Sequence, residues 1–135
     1  MDNGAVMKLR LVFASLMGLL LVETAAVAET GRLNGQAIKR VLSGKTLHLH
    51  TPIGVTLPIK YSGNGTMVGR AKPELAQYIG SRQDKGVWWV RSNRMCQKWK
   101  RWLEGKLACF TIRKRGRYVY WRSNDGQTGT GIISQ

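Results

Sequence analysis

The spacing of apolar residues changes along the chain, and its first part predicts a helix. Within residues 34–44, apolar side chains recur at spacings of three and four, which places them on one face of a helix. Asn34 can cap the start of this helix, and Gly44 can end it. The apolar residues of that face are Ala37, Ile38, Val41 and Leu42. The pattern therefore predicts one short amphipathic helix before any strand.

Beyond this helix, apolar residues recur at every second position, and turn residues interrupt them at nearly constant intervals. Asn64 and Gly65 are typical of a two-residue hairpin turn, because both tolerate positive φ. The predicted strands are 46–50, 55–61, 66–70, 87–91, 95–102, 106–114, 117–122 and 128–134. This pattern predicts an all-β fold with one short N-terminal helix: an antiparallel meander closing into a small up-and-down β-barrel of about eight strands. Residues 73–80 fit either one helical turn or a packed loop.

The first 28 residues predict a secretory signal peptide. Lys8 and Arg10 precede an apolar run over residues 11–22, and small residues follow up to Ala28, after which cleavage is expected. The alternative is a membrane anchor, but the run is shorter than the roughly 20 residues that a spanning helix needs. Residues 29–135 then form a single barrel domain. We expect the protein to be periplasmic or secreted.

The two cysteines, Cys96 and Cys109, suggest one disulfide, because an even number in an exported chain is typical of oxidised pairs. The bond would close a loop of about 14 residues and stabilise the fold by about 3 kcal/mol. Two buried free thiols are the alternative. A two-residue turn at Glu104 and Gly105 would place Cys109 opposite Lys100, so the disulfide requires a bulge, a longer loop or a different strand neighbour.

Charge and aromatic residues are concentrated in the segment 82–122. The chain carries a formal net charge of +15, and this segment holds most of the excess together with all five tryptophans. Such an imbalance favours anionic partners. The predicted anion-binding residues are Arg91, Arg94, Lys98, Lys100, Arg101, Arg113, Lys114, Arg115, Arg117 and Arg122. The predicted aromatic platform is Trp88, Trp99, Trp102 and Trp121. In the alternative interpretation, the tryptophans fill the barrel and the cations surround it.

Several short stretches resemble a family of small secreted proteobacterial domains that is uncharacterised and described as lipocalin-like. They are "LSGKTL", "YSGNGTMVG", "GVWWVRSNRMCQKW" and "NDGQTGTGI", in that order. The resemblance covers most of residues 29–135. It implies a periplasmic β-barrel-like fold, and it implies no catalytic residues.

The sequence offers no catalytic or metal-binding motif. His48 and His50 would share one face of a strand, but a zinc site needs three or four ligands and the chain contains no other histidine. No two carboxylates beyond residue 28 are placed for acid–base catalysis. We therefore expect a protein that is not an enzyme and that has no metal and no cofactor.

Three functions fit these features. The first is a non-catalytic exported binding protein whose cationic, Trp-rich face holds an acidic envelope component: anionic lipid at the membrane surface, lipopolysaccharide phosphate or acidic glycan. The second is a lipocalin-like carrier of a small apolar ligand, because an eight-stranded barrel can hold one. The third, less expected in an exported chain, is a binder of single-stranded nucleic acid.

Overall fold

The computed structural model describes residues 31–135, so the predicted signal peptide lies outside the described residues. Eight antiparallel strands form one closed barrel in which each strand pairs with its sequence neighbours and the last pairs with the first. The strands are β1 Lys45–His50, β2 Thr56–Tyr61, β3 Thr66–Arg70, β4 Gln83–Arg91, β5 Arg94–Trp99, β6 Ala108–Arg115, β7 Tyr118–Ser123 and β8 Thr128–Ser134. The predicted fold class, an antiparallel up-and-down barrel of eight strands, is confirmed.

Two short helices accompany the barrel. Helix α1, Gly35–Leu42, begins after Asn34, whose side-chain Oδ1 accepts a hydrogen bond from the Ala37 amide at 2.9 Å, as the sequence predicts. Helix α2, Pro73–Ile79, ends at Gly80, which has a positive φ. Residues 73–79 therefore form a helix that Gly80 ends, where the sequence left a packed loop as the alternative.

Because the topology is up-and-down, successive connections lie alternately at the two ends of the barrel. The open end carries the connections 51–55, 71–82, 100–107 and 124–127. Helix α1 covers the opposite, closed end, where it packs against β1, β4 and β5 and buries Ile38 and Leu42. Because α1 supplies this apolar cover, the barrel needs no further layer at that end.

The chain entering α1 extends the wall of the barrel. The Leu33 amide donates to the Ile112 carbonyl at 2.8 Å, and Arg32 forms an isolated bridge with Arg113 of β6. Strand β5 pairs with β6 only as far as Met95, so these residues continue along β6 beyond the end of β5. This arrangement brings an arginine from outside the basic segment next to β6.

Strand β4 begins at Gln83, four residues before the predicted start at residue 87. Two further strand ends differ from the prediction, and their difference explains the disulfide. Strand β5 ends at Trp99 instead of continuing to residue 102, and β6 begins at Ala108. Residues 100–107 therefore form a longer loop, and Cys96 lies directly opposite Cys109 and forms a disulfide with it. Of the three ways in which the sequence could have accommodated the bond, the longer loop is the one that occurs.

Candidate functional site

The barrel contains an apolar cavity of about 490 Å³. Its deep wall includes Leu42 of α1 with Tyr61 and Val119, all almost completely buried, whereas Leu103 and Leu107 line it at the open end. The cavity therefore reaches from the loops of the open end into the core. The remaining lining residues are Leu47, Leu49, Ile59, Met95, Gln97, Ala108, Cys109, Phe110, Ile112, Trp121, Ser123, Asn124, Asp125 and Gln127.

One hydrogen-bonded pair supplies polar atoms to the deep part of this cavity. The Tyr61 hydroxyl donates to Oε1 of Gln97 at 3.4 Å, and both side chains are buried. The Tyr61 and Trp88 rings pack in a T-shaped arrangement with their centroids 5.5 Å apart. Burial raises the pKa of Tyr61, so its hydroxyl stays protonated. The Tyr61 hydroxyl donates in this bond, so its oxygen can still accept a hydrogen bond from a second polar partner.

Trp121 contributes a further polar atom at the cavity wall. Its Nε1 is buried and has no hydrogen-bond partner, and no other buried side-chain nitrogen or oxygen atom within residues 31–135 lacks one. The ring packs edge-on against Phe110 with centroids 5.4 Å apart, and it lies over Gly129, where any Cβ would collide with the indole. An unpaired buried N–H is costly, and the sequence gives no sign of it.

The other three tryptophans of the predicted aromatic platform are core residues and do not form an exposed platform. Trp88, Trp99 and Trp102 are each at most 5% exposed. The Nε1 of Trp88 donates to the Ser62 carbonyl and that of Trp102 to Ser81 Oγ, both at 2.9 Å. Their faces pack inside the barrel, so they cannot stack on an external ligand. A small domain uses its largest apolar side chains for its core.

Gly69 makes room for this tryptophan cluster. A Cβ at Gly69 would collide with the rings of both Trp102 and Trp99, whose centroids lie 4.8 Å apart. The indoles thus fill the side of the barrel near β3, β4 and β5. The remaining open space is lined by residues of β1, β2, β5, β6 and β7 together with Leu42 of α1.

Asp84 holds the loop at the mouth of the cavity. This carboxylate is 3% exposed, and its Oδ2 accepts hydrogen bonds from the Arg101 and Trp102 amides at 2.8 and 2.7 Å. Oδ1 accepts from the Lys85 amide at 2.9 Å. Burial alone would raise the pKa of Asp84, but the three amides and the Arg101 charge lower it below its ordinary value. The ionised carboxylate therefore turns the chain out of β5.

The turn that follows has an unusual backbone. Leu103 and Glu104 adopt left-handed conformations with φ of 54° and 56°, and Gly105 continues with 64°. Such conformations cost energy for residues with a Cβ and persist only where the surroundings enforce them. Here the surroundings are the Asp84 hydrogen bonds and the buried Trp102 side chain. The result is a fixed loop that presents Leu103 to solvent at the cavity mouth.

The predicted anion-binding residues are divided between separate places. Arg113 and Arg122 line a groove on the outer face of β6, β7 and β8, together with Arg32 and Tyr120. Lys114 and Arg117 line a depression at the closed end, together with Arg40 and Lys45. We name these the outer groove and the closed-end depression. The sequence did not single out Arg32, Arg40 or Lys45, because all three lie outside the basic segment and only the fold brings them to it.

The other six predicted cations lie elsewhere on strands and loops. Arg91 and Arg94 are register partners at the β4–β5 hairpin, and Arg94 donates to Asn124 Oδ1 at 2.6 Å. Arg101 lies 3.8 Å from Asp84. The rest of the set, Lys98, Lys100 and Arg115, is exposed. These cations do not form one compact site, and their anion-binding role stays a prediction.

The histidines take part in the β1–β8 seam. His48 Nε2 is 2.8 Å from Ser134 Oγ, and His50 Nδ1 is 2.8 Å from Thr130 Oγ1. Across residues 31–135, no three His, Cys, Asp or Glu side chains come together in a group that could hold a metal ion. Within the same residues, neither helix has the length and apolar character needed to span a bilayer.

The geometry of the described residues thus consists of an apolar cavity, a fixed loop at its mouth (residues 100–107, the mouth loop) and two cationic surface depressions. No protein-family model, no curated protein and no solved structure matches this chain.

Proposed function

We propose that this protein is an exported, non-catalytic carrier that takes the apolar part of a small ligand into its barrel. The observation that carries the proposal is the cavity of about 490 Å³ between Leu42 and the open end. Cavities that hold small molecules usually measure about 300–1,000 Å³ and have mostly apolar walls with a few polar groups. The cavity fits both criteria, and it favours the carrier over the other functions that the sequence allows.

The wall of the cavity defines the chemistry of the ligand. The deep part contains the Tyr61–Gln97 pair as polar groups and is otherwise lined by apolar side chains such as Val119. A charged group placed there would lose its hydration without an opposite charge, which is prohibitively costly. The ligand is therefore a neutral apolar molecule, or an amphiphile whose charged head stays at the open end.

Export accounts for the oxidised cysteine pair. The Cys96–Cys109 disulfide joins β5 to β6 at the base of the mouth loop. Such bonds persist in oxidising compartments and are rare in the cytosol. Together with the predicted leader, the disulfide supports a periplasmic or secreted location.

The test is a fluorescence titration with the neutral probe N-phenyl-1-naphthylamine. Wild-type protein should enhance probe emission with saturable 1:1 binding. Ala108→Trp places an indole in the cavity, since Ala108 lines it, and should weaken binding by about tenfold or more. Val87→Trp adds the same ring on the exposed outer face of β4 and serves as the matched control. Equal binding by wild type and Ala108→Trp, or no saturable binding by wild type, contradicts the proposal.

A second function, the binding of an acidic envelope component, is supported by the closed-end depression. Arg40, Lys45, Lys114 and Arg117 line it, and no aspartate or glutamate does. Clustered cations attract phosphate or carboxylate groups. This binding would occur at the end of the barrel opposite the cavity mouth, so the two functions are separable.

Calorimetric titration with soluble polyphosphate across a salt series tests this second function. Arg40→Gln/Arg117→Gln should weaken binding by about tenfold at low salt, whereas the control pair Lys60→Gln/Lys72→Gln, which removes two exposed cations elsewhere, should have a smaller effect. Binding that ignores salt, or that falls equally in both variants, contradicts a site at the depression.

A further inference from the structure

We infer that the open end of the barrel docks on an anionic lipid bilayer through the mouth loop, residues 100–107. This inference rests on the proposed function and deepens it, because it names the surface from which the cavity exchanges its ligand. The sequence predicts a cationic face on the barrel wall. The structure points instead to the loops around the cavity.

Exposed apolar side chains gather at the open end. Leu103 and Leu107 of the mouth loop are 57% and 60% exposed, Ile53 of the connection 51–55 is 44% exposed, and Tyr78 of α2 is 70% exposed. These residues come from three separate connections that share one end of the barrel. The other large apolar side chains exposed within residues 31–135 are Val87, Tyr118 and Tyr120, which lie on barrel strands. An apolar rim of this kind is typical of an interaction surface.

The mouth loop is held in place, so the exposure of its leucines does not result from a loose chain. Asp84 fixes the amides of Arg101 and Trp102, and the Lys106 amide donates to the Leu103 carbonyl at 3.1 Å. The left-handed backbone at Leu103 is thus enforced from both sides. A fold that maintains this conformation presents an apolar side chain outward at the mouth of its own cavity.

The charge next to these leucines identifies the partner. The mouth loop contains Lys100, Arg101 and Lys106, and its single acid, Glu104, lies 2.9 Å from Lys106. Apolar side chains flanked by Lys and Arg are characteristic of segments that enter the headgroup region of acidic membranes. An apolar rim that surrounds an opening fits a continuous lipid surface, from which an amphiphile can pass into the cavity without crossing water.

Vesicle co-sedimentation tests the inference with oxidised protein lacking residues 1–28. Vesicles of phosphatidylcholine containing phosphatidylglycerol should bind the protein at least about tenfold more tightly than phosphatidylcholine alone, and added salt should weaken the binding. Leu103→Asn/Leu107→Gln should reduce binding to the acidic vesicles by about tenfold or more. Asparagine tolerates the left-handed conformation of Leu103, so the turn is retained.

The matched control is Val87→Gln/Tyr118→Gln, which removes two exposed apolar side chains from the barrel wall and should leave vesicle binding unchanged. Lys100→Gln/Lys106→Gln should weaken binding more than Lys39→Gln/Lys60→Gln, although each pair removes two exposed cations. Thermal melts of all variants verify folding.

The outcomes separate this inference from the proposed function. Wild-type protein that binds the neutral probe but not acidic vesicles contradicts membrane docking alone. Wild-type protein that binds vesicles but not the probe contradicts the carrier function alone. Equal vesicle binding by wild type and the double leucine variant means that general charge attraction holds the protein, and it refutes the role of the mouth loop. A dimer in analytical ultracentrifugation that Leu103→Asn/Leu107→Gln abolishes assigns the rim to a second copy instead.

Discussion

Replacing Asp84 with asparagine should destabilise the protein in a manner that depends on pH. The carboxylate accepts three backbone hydrogen bonds, from Lys85 through Oδ1 and from Arg101 and Trp102 through Oδ2. Asparagine has one oxygen, so its best orientation keeps the last two hydrogen bonds and turns an N–H₂ group toward the Lys85 amide. One charge-assisted bond is then lost, and two are weakened.

The magnitude follows from these bonds. A hydrogen bond to a charged group contributes about 1.5–3 kcal/mol, roughly twice the value for a neutral pair. Losing one bond and weakening two gives a destabilisation of about 3 kcal/mol at neutral pH. A domain of this size has a free energy of unfolding of about 5–15 kcal/mol, so the variant should still fold. Denaturation in urea at pH 7, monitored by tryptophan fluorescence, measures the difference.

The pH dependence distinguishes ionisation from packing. The folded pKa of Asp84 is lowered, whereas an unfolded aspartate titrates near pH 3.9. The stabilisation is therefore complete above about pH 5 and is lost as pH falls through the folded pKa. The difference between wild type and Asp84→Asn should shrink toward pH 2, since the protonated acid resembles the amide. Glu74→Gln, a neutralisation on the exposed surface of α2, should change stability by less than about 0.5 kcal/mol. A difference for Asp84→Asn below about 1 kcal/mol at pH 7, or one constant from pH 7 to pH 2, would refute the reasoning.

Three further variants test other parts of the fold, each by urea denaturation. Cys96→Ser/Cys109→Ser removes the disulfide and should lower the free energy of unfolding by about 3 kcal/mol, because the bond restricts the unfolded chain. A double variant as stable as wild type would contradict this stabilisation. Gly69→Ala places a methyl group against the Trp102 ring and should lower the free energy of unfolding by about 1–3 kcal/mol. An unchanged free energy of unfolding would mean that the tryptophan rings can shift without cost. Asn34→Ala removes the cap of α1 and should cost about 1 kcal/mol, and no loss would exclude a stabilising role for the cap.

The barrel itself was predictable from the sequence because apolar residues recur at every second position along most of its strands. The regular turn spacing determines antiparallel neighbours, and a meander of eight strands removes its edges by closing. The hairpin at Asn64 and Gly65 is where the sequence places it, but it is a three-residue loop over 63–65 and not the predicted two-residue turn, because Tyr61 pairs with Met67 and the Ser62 amide donates to the Thr66 carbonyl. The predicted bounds of 66–70 and 128–134 coincide with β3 and β8. Local periodicity contains this information, so no knowledge of tertiary contacts was needed.

The mouth loop was not predictable in the same way. Residues 95–102 continue an alternating pattern, but Asp84 draws the Arg101 and Trp102 amides away from the sheet. That carboxylate lies on a different strand, and sequence spacing gives no sign that it becomes buried. The tryptophans were uncertain for a related reason. Alternation places a residue such as Trp99 on one face of the sheet but does not reveal that this face packs against Trp102.

The cavity also depends on long-range packing. Val119 and Ile112 are typical core residues, and nothing in their sequence distinguishes a filled interior from a partly empty one. The volume depends on which side of the barrel the indoles occupy. Of the predicted cations, the fold brings Lys114 and Arg117 together with Arg40 and Lys45, which lie far away in sequence.

The most direct test of the carrier function is a crystal structure of the protein with a brominated long-chain alcohol, in which anomalous scattering locates the bromine atom. The account predicts a single bromine peak inside the barrel, within contact distance of Tyr61 and Val119, and the alcohol chain leading toward Leu103. A bromine peak only on the outer surface, or an interior closed by side chains around an empty centre, would contradict it.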